Sequence, residues 1–146
     1  MRKVLVLGAS GSMGYAIVHE LISRGIFEVV AFARTKSKLE RLLGNQSHVT
    51  IVSGNAFNIS EIKAAAQGVD IIFHAMNVPY SEWEEKLPVL LNNILLVAKD
   101  ANAKLVVVDN VYSYGKSNGK KVKEDFPKRP HTKKGKIRLQ LETMIK

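Results

Sequence analysis

The chain has 146 residues, 46% hydrophobic and 24% charged, enough for one sizeable core and an ordinary globular balance that excludes disorder throughout. It contains no cysteine, which removes disulfides, thiolate metal sites and a cysteine nucleophile together. The net charge of +9 lies at one end: residues 1–115 carry 11 Lys/Arg against 10 Asp/Glu, and residues 116–146 carry 11 against 3. The basicity is therefore a property of a lysine-rich segment, either a solvated loop or a surface for phosphates, and nucleic acid is not expected as a partner.

In chain order, Met1-Arg2-Lys3 leads directly into the apolar run Val4-Leu5-Val6-Leu7, a first strand. No signal-peptide core follows, and no apolar run nears the roughly 18 residues of a membrane span, so no membrane association and a cytoplasmic setting are expected. A helix is predicted over 12–24, with Met13, Ile17, Val18, Leu21 and Ile22 on one face and Gly25 as its stop. Strand two covers 28–33 and is followed by a helix over 37–43. Strand three covers 49–53, closed by Gly54-Asn55. Ser60 is expected to cap a short helix reaching Gln67, with Glu61 at its positive end. Strand four spans 69–75, and a long helix covers 87–102 with Pro88 in its first turn. Strand five is 104–108, nearly all apolar, as a strand covered on both faces must be. A basic loop over 116–135 and a closing helix over 136–146 complete one domain, 1–146. Five alternations of strand and helix predict an α/β architecture: a parallel sheet in the order 3-2-1-4-5 with helices on both faces.

The most informative stretch is Gly8-Ala9-Ser10-Gly11-Ser12-Met13-Gly14, set between the first strand and the first helix. Gly8 permits a sharp turn out of the strand, Gly11 leaves no Cβ where a backbone must approach a pyrophosphate, and Gly14 lets the helix pack on the sheet. The helix N-terminus then offers N–H groups and partial positive charge to phosphates. These residues predict a dinucleotide site, the alternative being a tight turn that binds nothing. Strand two ends in Arg34, followed by Thr35, Lys36, Ser37 and Lys38, with no carboxylate before Glu40. Such a cluster suits a ribose 2′-phosphate, so NADP(H) is expected to be preferred, with NAD(H) possible. No phosphate-binding G-x-x-x-x-G-K-[ST] and no G-x-S-x-G occur, and the four histidines share no metal spacing, so no metal site is expected.

Taken together, GASGSMG, Arg34, Gly54-Asn55-Ala56, Phe73-His74-Ala75 and Asp109-Asn110-Val111-Tyr112-Ser113-Tyr114-Gly115 resemble the extended or atypical short-chain dehydrogenase/reductases, the NAD-dependent epimerase/dehydratase group. The resemblance spans the chain but only the N-terminal, cofactor-binding part of such enzymes, so the substrate, an unknown small molecule, is not readable. It implies that Gly8, Ser10, Gly11, Ser12, Met13 and Gly14 form the pyrophosphate turn. It further implies Arg34 at the adenosine ribose, Asn55 and Ala56 at the adenine edge, and Ala75, Met76 and Asn77 near the other ribose. The catalytic pieces depart from the family pattern. Asn110 stands where a serine or threonine hydroxyl is usual, and the Y-x-x-x-K pair falls on Lys134 and Arg138. Tyr80, Tyr112 or Tyr114 could supply a displaced phenol, which makes Asn110, Tyr112, Lys134 and Arg138 the catalytic candidates.

Two functions follow as expectations. One is an NAD(P)-dependent oxidoreductase or epimerase domain; the other is a cofactor-sensing or interaction module that retains the fold without proton-transfer chemistry. A homodimer is also expected, because the 87–102 helix is apolar over an arc wider than one contact needs and the closing helix carries a similar face.

Overall fold

The computed structural model describes residues 1–146. The chain forms two compact units, one made of Met1–Asn77 with Asn92–Val108 and the other of Val78–Leu91 with Asp109–Lys146.

The first unit holds the sheet. Strands β1 (Arg2–Leu7), β2 (Phe27–Ala33), β3 (Val49–Ser53), β4 (Ile71–His74) and β5 (Lys104–Val107) alternate with helices α1 (Ser12–Ser23), α2 (Lys36–Leu43) and α3 (Ile59–Ala65), and with α4 (Trp83–Asp100), whose C-terminal half belongs here. All pairings are parallel and the order is β3-β2-β1-β4-β5, as the alternation of elements requires. β1 is central: Val4 lies beside Val29 and Ile71, and Leu7 beside Phe32 and His74. Val4, Leu5, Val6 and Leu7 are all fully buried, so both faces of the strand are covered and its apolar residues run without alternation. On one face Val4 and Val6 pack in a cluster with Val29 and Ala31 of β2, Val18 and Leu21 of α1, and Leu39 and Leu43 of α2.

Several boundaries differ from the sequence expectation. α3 is capped by Asn58 rather than Ser60: the Asn58 side chain accepts the Ser60 N–H at 3.1 Å, which places Ser60 already inside the helix. β4 is shorter than 69–75. α4 begins at Trp83, led in by a 3₁₀ turn at Tyr80–Glu82, so Pro88 lies inside the helix and not in its first turn. Glu84 and Glu85 occupy that first turn instead, where carboxylates interact well with the positive helix end.

The second unit contains the start of α4, a 3₁₀ turn at Val111–Ser113, and helix α5 (Lys133–Ile145). α5 opens three residues before the expected position because Thr132 caps it, its Oγ1 accepting the Gly135 N–H at 3.0 Å. Lys133, Lys134 and Gly135 are thereby helical and not part of the basic loop.

Candidate functional site

In the first unit the candidate site is shaped mainly by backbone. The chain leaves β1 through Gly8 at φ +85°, a conformation that side chains disfavour. A Cβ on Gly8 would stand 2.6 Å from the Ala75 carbonyl oxygen, and one on Gly14 would collide with the backbone of Gly8. Both glycines are thus demanded by packing of the turn against β4 and α1. Gly11 is different. A Cβ there would meet a single atom, the Gly8 carbonyl oxygen, at an ordinary 3.5 Å. Packing does not require that glycine; its lack of a side chain keeps the cradle open. Gly11 is also the N-cap of α1, with no side-chain cap and no acidic residue in the first turn. No side chain therefore caps the N–H groups at the positive end of the helix, the kind of position at which an anion can bind.

A cavity of about 240 Å³ adjoins this turn. Gly8, Ser10 and Gly11 line it from the turn, Ala33, Arg34, Thr35 and Lys38 from the end of β2 and the start of α2, and Ala75, Met76 and Asn77 from beyond β4. No carboxylate contributes to the lining. The nearest acidic residue along α2, Glu40, pairs with Lys36 at 3.8 Å. The segment after β4 is held by buried His74, whose Nδ1 accepts the Met76 N–H at 3.3 Å.

Of the residues expected at a cofactor, Gly8, Ser10, Gly11, Arg34, Ala75, Met76 and Asn77 converge on this cavity. Ser12 opens α1 outside the lining, and Met13, 55% exposed, faces a separate groove with Ile17, Phe27 and Phe73. Asn55 and Ala56 lie in the β3–α3 loop: the Asn55 side chain accepts the Phe57 N–H at 3.0 Å, and Ala56 is buried. Lys38 belongs to the cationic cluster that the sequence reading gave to a 2′-phosphate and does line the cavity, whereas His74 is an addition that it did not assign to the site. His74 was signalled only by its place at the end of β4.

The second unit assembles a cluster of aromatic and cationic side chains. Trp83 is buried, and its indole N–H donates to the Val78 carbonyl at 3.0 Å. Tyr80 packs edge-on against it at 4.9 Å, and the Arg138 guanidinium lies 4.2 Å from the centre of the indole, a cation–π contact strengthened by loss of solvent. Arg138 also approaches Asp109 at 3.7 Å. Burial lowers the guanidinium pKa from its ordinary value, and Asp109 opposes the shift. The Tyr80 and Tyr112 hydroxyls are 3.4 Å apart, and the Lys134 ammonium stands 4.8 Å from the centre of the Tyr80 ring. The hydrogen bond to Tyr80 raises the Tyr112 phenol above its usual pKa. These two phenols, Thr132, Lys133 and Lys134 line an open cavity of about 430 Å³.

Among the catalytic candidates, Tyr112 and Lys134 thus both converge on Tyr80. The Asn110 side chain accepts the Tyr112 N–H at 3.0 Å and so caps the turn that carries the phenol. Arg138 is engaged with Trp83 and Asp109. Gly135 is required here, since a Cβ would strike the Tyr112 carbonyl oxygen. Deeper in the unit Glu142 pairs with Lys128 and Lys146 and accepts the Ser113 hydroxyl at 3.4 Å. Its pKa is lowered chiefly by the Lys128 hydrogen bond. No group of histidines, cysteines and carboxylates is arranged to hold a metal, and no helix is long and apolar enough to cross a membrane.

A glycine turn between the central strand and the first helix of a parallel 3-2-1-4-5 sheet, with a cavity beside it, defines a Rossmann-type dinucleotide-binding domain. Residues 8–137 match the NAD(P)H-binding family, and the chain belongs to that family. It is similar to a 2-alkyl-3-oxoalkanoate reductase of Shewanella oneidensis, 44% identical over 69 residues that make up 47% of this chain and 16% of that protein. The fold is shared with the UDP-glucuronic acid 4-epimerase of Bacillus cereus in complex with NAD, at a TM-score of 0.79, 19% identity and coverage of 98% of this chain and 51% of that one. A dTDP-glucose 4,6-dehydratase of Bacillus anthracis, also in complex with NAD, matches at a TM-score of 0.80 and 17% identity over 99% of this chain and 49% of its own. The chain therefore spans about half the length of these structures and a smaller share of the Shewanella protein.

Proposed function

We propose that this chain is the cofactor-binding domain of a reductase- or epimerase-like oxidoreductase that prefers NADP(H) and accepts NAD(H). The observation that carries the preference is the presence of Arg34 and Lys38, without a carboxylate, in the cavity beside the glycine turn. A guanidinium and an ammonium balance a 2′-phosphate, and the guanidinium can contact two of its oxygens at once. The bound nicotinamide would supply hydride transfer; the chain's own contribution is to hold the dinucleotide and a proton. The pyrophosphate falls to Gly8, Ser10, Gly11 and the start of α1, and the strand-end segment Ala75, Met76 and Asn77 to the nicotinamide-side ribose. In the second unit Tyr112 and Lys134 are the proton-holding groups. Asn110 supports Tyr112 through the turn, and Arg138 supports the cluster through Trp83. Similarity to a 2-alkyl-3-oxoalkanoate reductase and to a UDP-glucuronic acid 4-epimerase favours a small carbonyl or hydroxyl compound as substrate.

A second reading, a cofactor-sensing or interaction module, is favoured by Lys134 and Arg138 standing in place of the family's tyrosine and lysine, with Arg138 committed to Trp83. Self-association as a homodimer is part of the proposal. Val89 and Leu96, seven residues apart on α4, are 52% and 46% exposed, and β5 ends the sheet with an open edge. Elsewhere on the wide apolar arc of α4, Leu87, Leu90, Leu91, Ile94, Val97 and Ala98 are buried within the chain and Leu95 is half-buried. A cytoplasmic setting fits this reading.

Titration with NADPH and NADH tests it. Arg34→Ala is expected to weaken NADPH by about 1–3 kcal/mol, the range for a charge-assisted hydrogen bond, and to leave NADH nearly unchanged. Equal losses for both cofactors would remove Arg34 from the 2′-phosphate. In a hydride-transfer assay with carbonyl compounds, the 146-residue chain alone is expected to bind cofactor but turn over weakly or not at all. Robust turnover lost in Tyr112→Phe with cofactor affinity intact would decide for the enzyme over the sensing module.

A further inference from the structure

Asn93 is a polar residue in the apolar middle of α4, flanked by buried Leu90, Leu91, Ile94 and Val97. Asn93 is half-buried, so its amide loses part of its solvent and gains from partners, and asparagine is also a poor helix former. Its partners are in the β3–α3 loop. The Asn93 Nδ2 donates to the Phe57 carbonyl at 3.2 Å and lies 3.5 Å from the Ala56 carbonyl. Neither carbonyl belongs to a strand or a helix. The loop is further tied by its own side chains: Asn55 accepts the Phe57 N–H, and Asn58 accepts the Ser60 N–H. Asn93 is thus a contact from outside the loop to the backbone at Ala56 and Phe57, made by one amide nitrogen to two successive carbonyls.

We propose that Asn93 is a positioning residue for the adenine end of the dinucleotide, acting through the loop at Asn55 and Ala56. This rests on the reading that places those two residues at the adenine edge. A loop of this kind recognises a planar base with backbone atoms and short side chains, so a displacement of a few tenths of an ångström spoils its hydrogen bonds. Fixing the loop before the ligand arrives also removes ordering cost from binding.

The test is a double-mutant cycle on the full chain, read by calorimetric titration with ADP. Asn93→Leu removes the amide at similar volume, and Asn93→Asp keeps the shape but turns two donors into acceptors facing carbonyls. Circular dichroism and melting confirm that each variant is folded, and Asn93→Asp serves if Asn93→Leu is not. Each is expected to weaken ADP about fivefold to tenfold, as the loss of one or two hydrogen bonds would. Asn55→Ala is expected to weaken it comparably, and the double variant to lose little more than either single one, because both act through one loop. Asn93 variants within twofold of wild type while Asn55→Ala is impaired, or losses that multiply in the double variant, would overturn the positioning role. No loss from Asn55→Ala, with wild type binding ADP, would instead refute the adenine-edge reading and the proposal with it.

Discussion

Around Gly8–Gly14 the candidate surface is made of backbone: a turn at positive φ, an uncapped helix start and a glycine whose side chain would meet one atom at an ordinary distance. In the cluster of the second unit it is made of side chains drawn from separate stretches, namely Tyr80, Trp83, Tyr112, Lys134 and Arg138. A backbone cradle tolerates almost no change at the residues that build the turn, yet is indifferent to most neighbouring side chains. A side-chain cluster depends on one buried anchor and distributes the remaining cost over several weak contacts. The two regions should therefore fail differently.

The sharpest contrast lies inside the glycine turn. Gly14→Val forces backbone apart and is expected to destabilise by more than about 4 kcal/mol, the range of exceptional substitutions, detected by chemical denaturation or as failure to fold. Gly11→Val has room and an extended N-cap conformation. It should cost only about 1 kcal/mol as a poorer cap while abolishing NADPH and NADH binding in the same titrations. Stability losses of equal size at the two positions would erase the distinction between packing glycine and ligand glycine.

The anchor of the other region is next. Trp83→Ala removes the indole beneath Arg138 and beside Tyr80, and is expected to cost about 3–5 kcal/mol, as for other buried large-to-small changes. Because Trp83 is the sole tryptophan of the chain, its fluorescence in the wild-type protein follows this region alone, while far-ultraviolet dichroism follows both. Coincident denaturation curves from the two probes would mean that the units unfold as one; separated curves would sharpen the comparison.

The smallest effect concerns pH. The folded pKa of Glu142 is depressed, first by its hydrogen bond to Lys128, so its contribution is present above the unfolded value of roughly 4.3. It is lost as pH falls from there through the folded pKa. Glu142→Gln should therefore lower stability at neutral pH and flatten its decline in acid, measured as the melting temperature between neutral and acid pH. An unchanged slope would show that the Lys128–Glu142–Lys146 group does not couple to folding.

Sequence alone determined the order of the sheet, the parallel pairing and the place of the glycine turn between the first strand and the first helix. Each depends on short-range pattern: apolar runs separated by amphipathic ones, and glycines at a spacing that a strand-to-helix turn can use. It also pointed to Arg34, since a residue at the end of β2 lands beside the turn in any sheet of this order. Tertiary structure decided what depends on distance between remote segments. The start of α4 at Trp83 left no periodic mark, because Pro88 suggested a later beginning and the indole that anchors the turn is a single residue. The meeting of Tyr80 with Tyr112 and Lys134, the stacking of Arg138 on Trp83, and the hold of Asn93 on the backbone of the β3–α3 loop join groups that are many residues apart. Such contacts follow from where the backbone carries each Cβ in space, and local pattern contains no record of that.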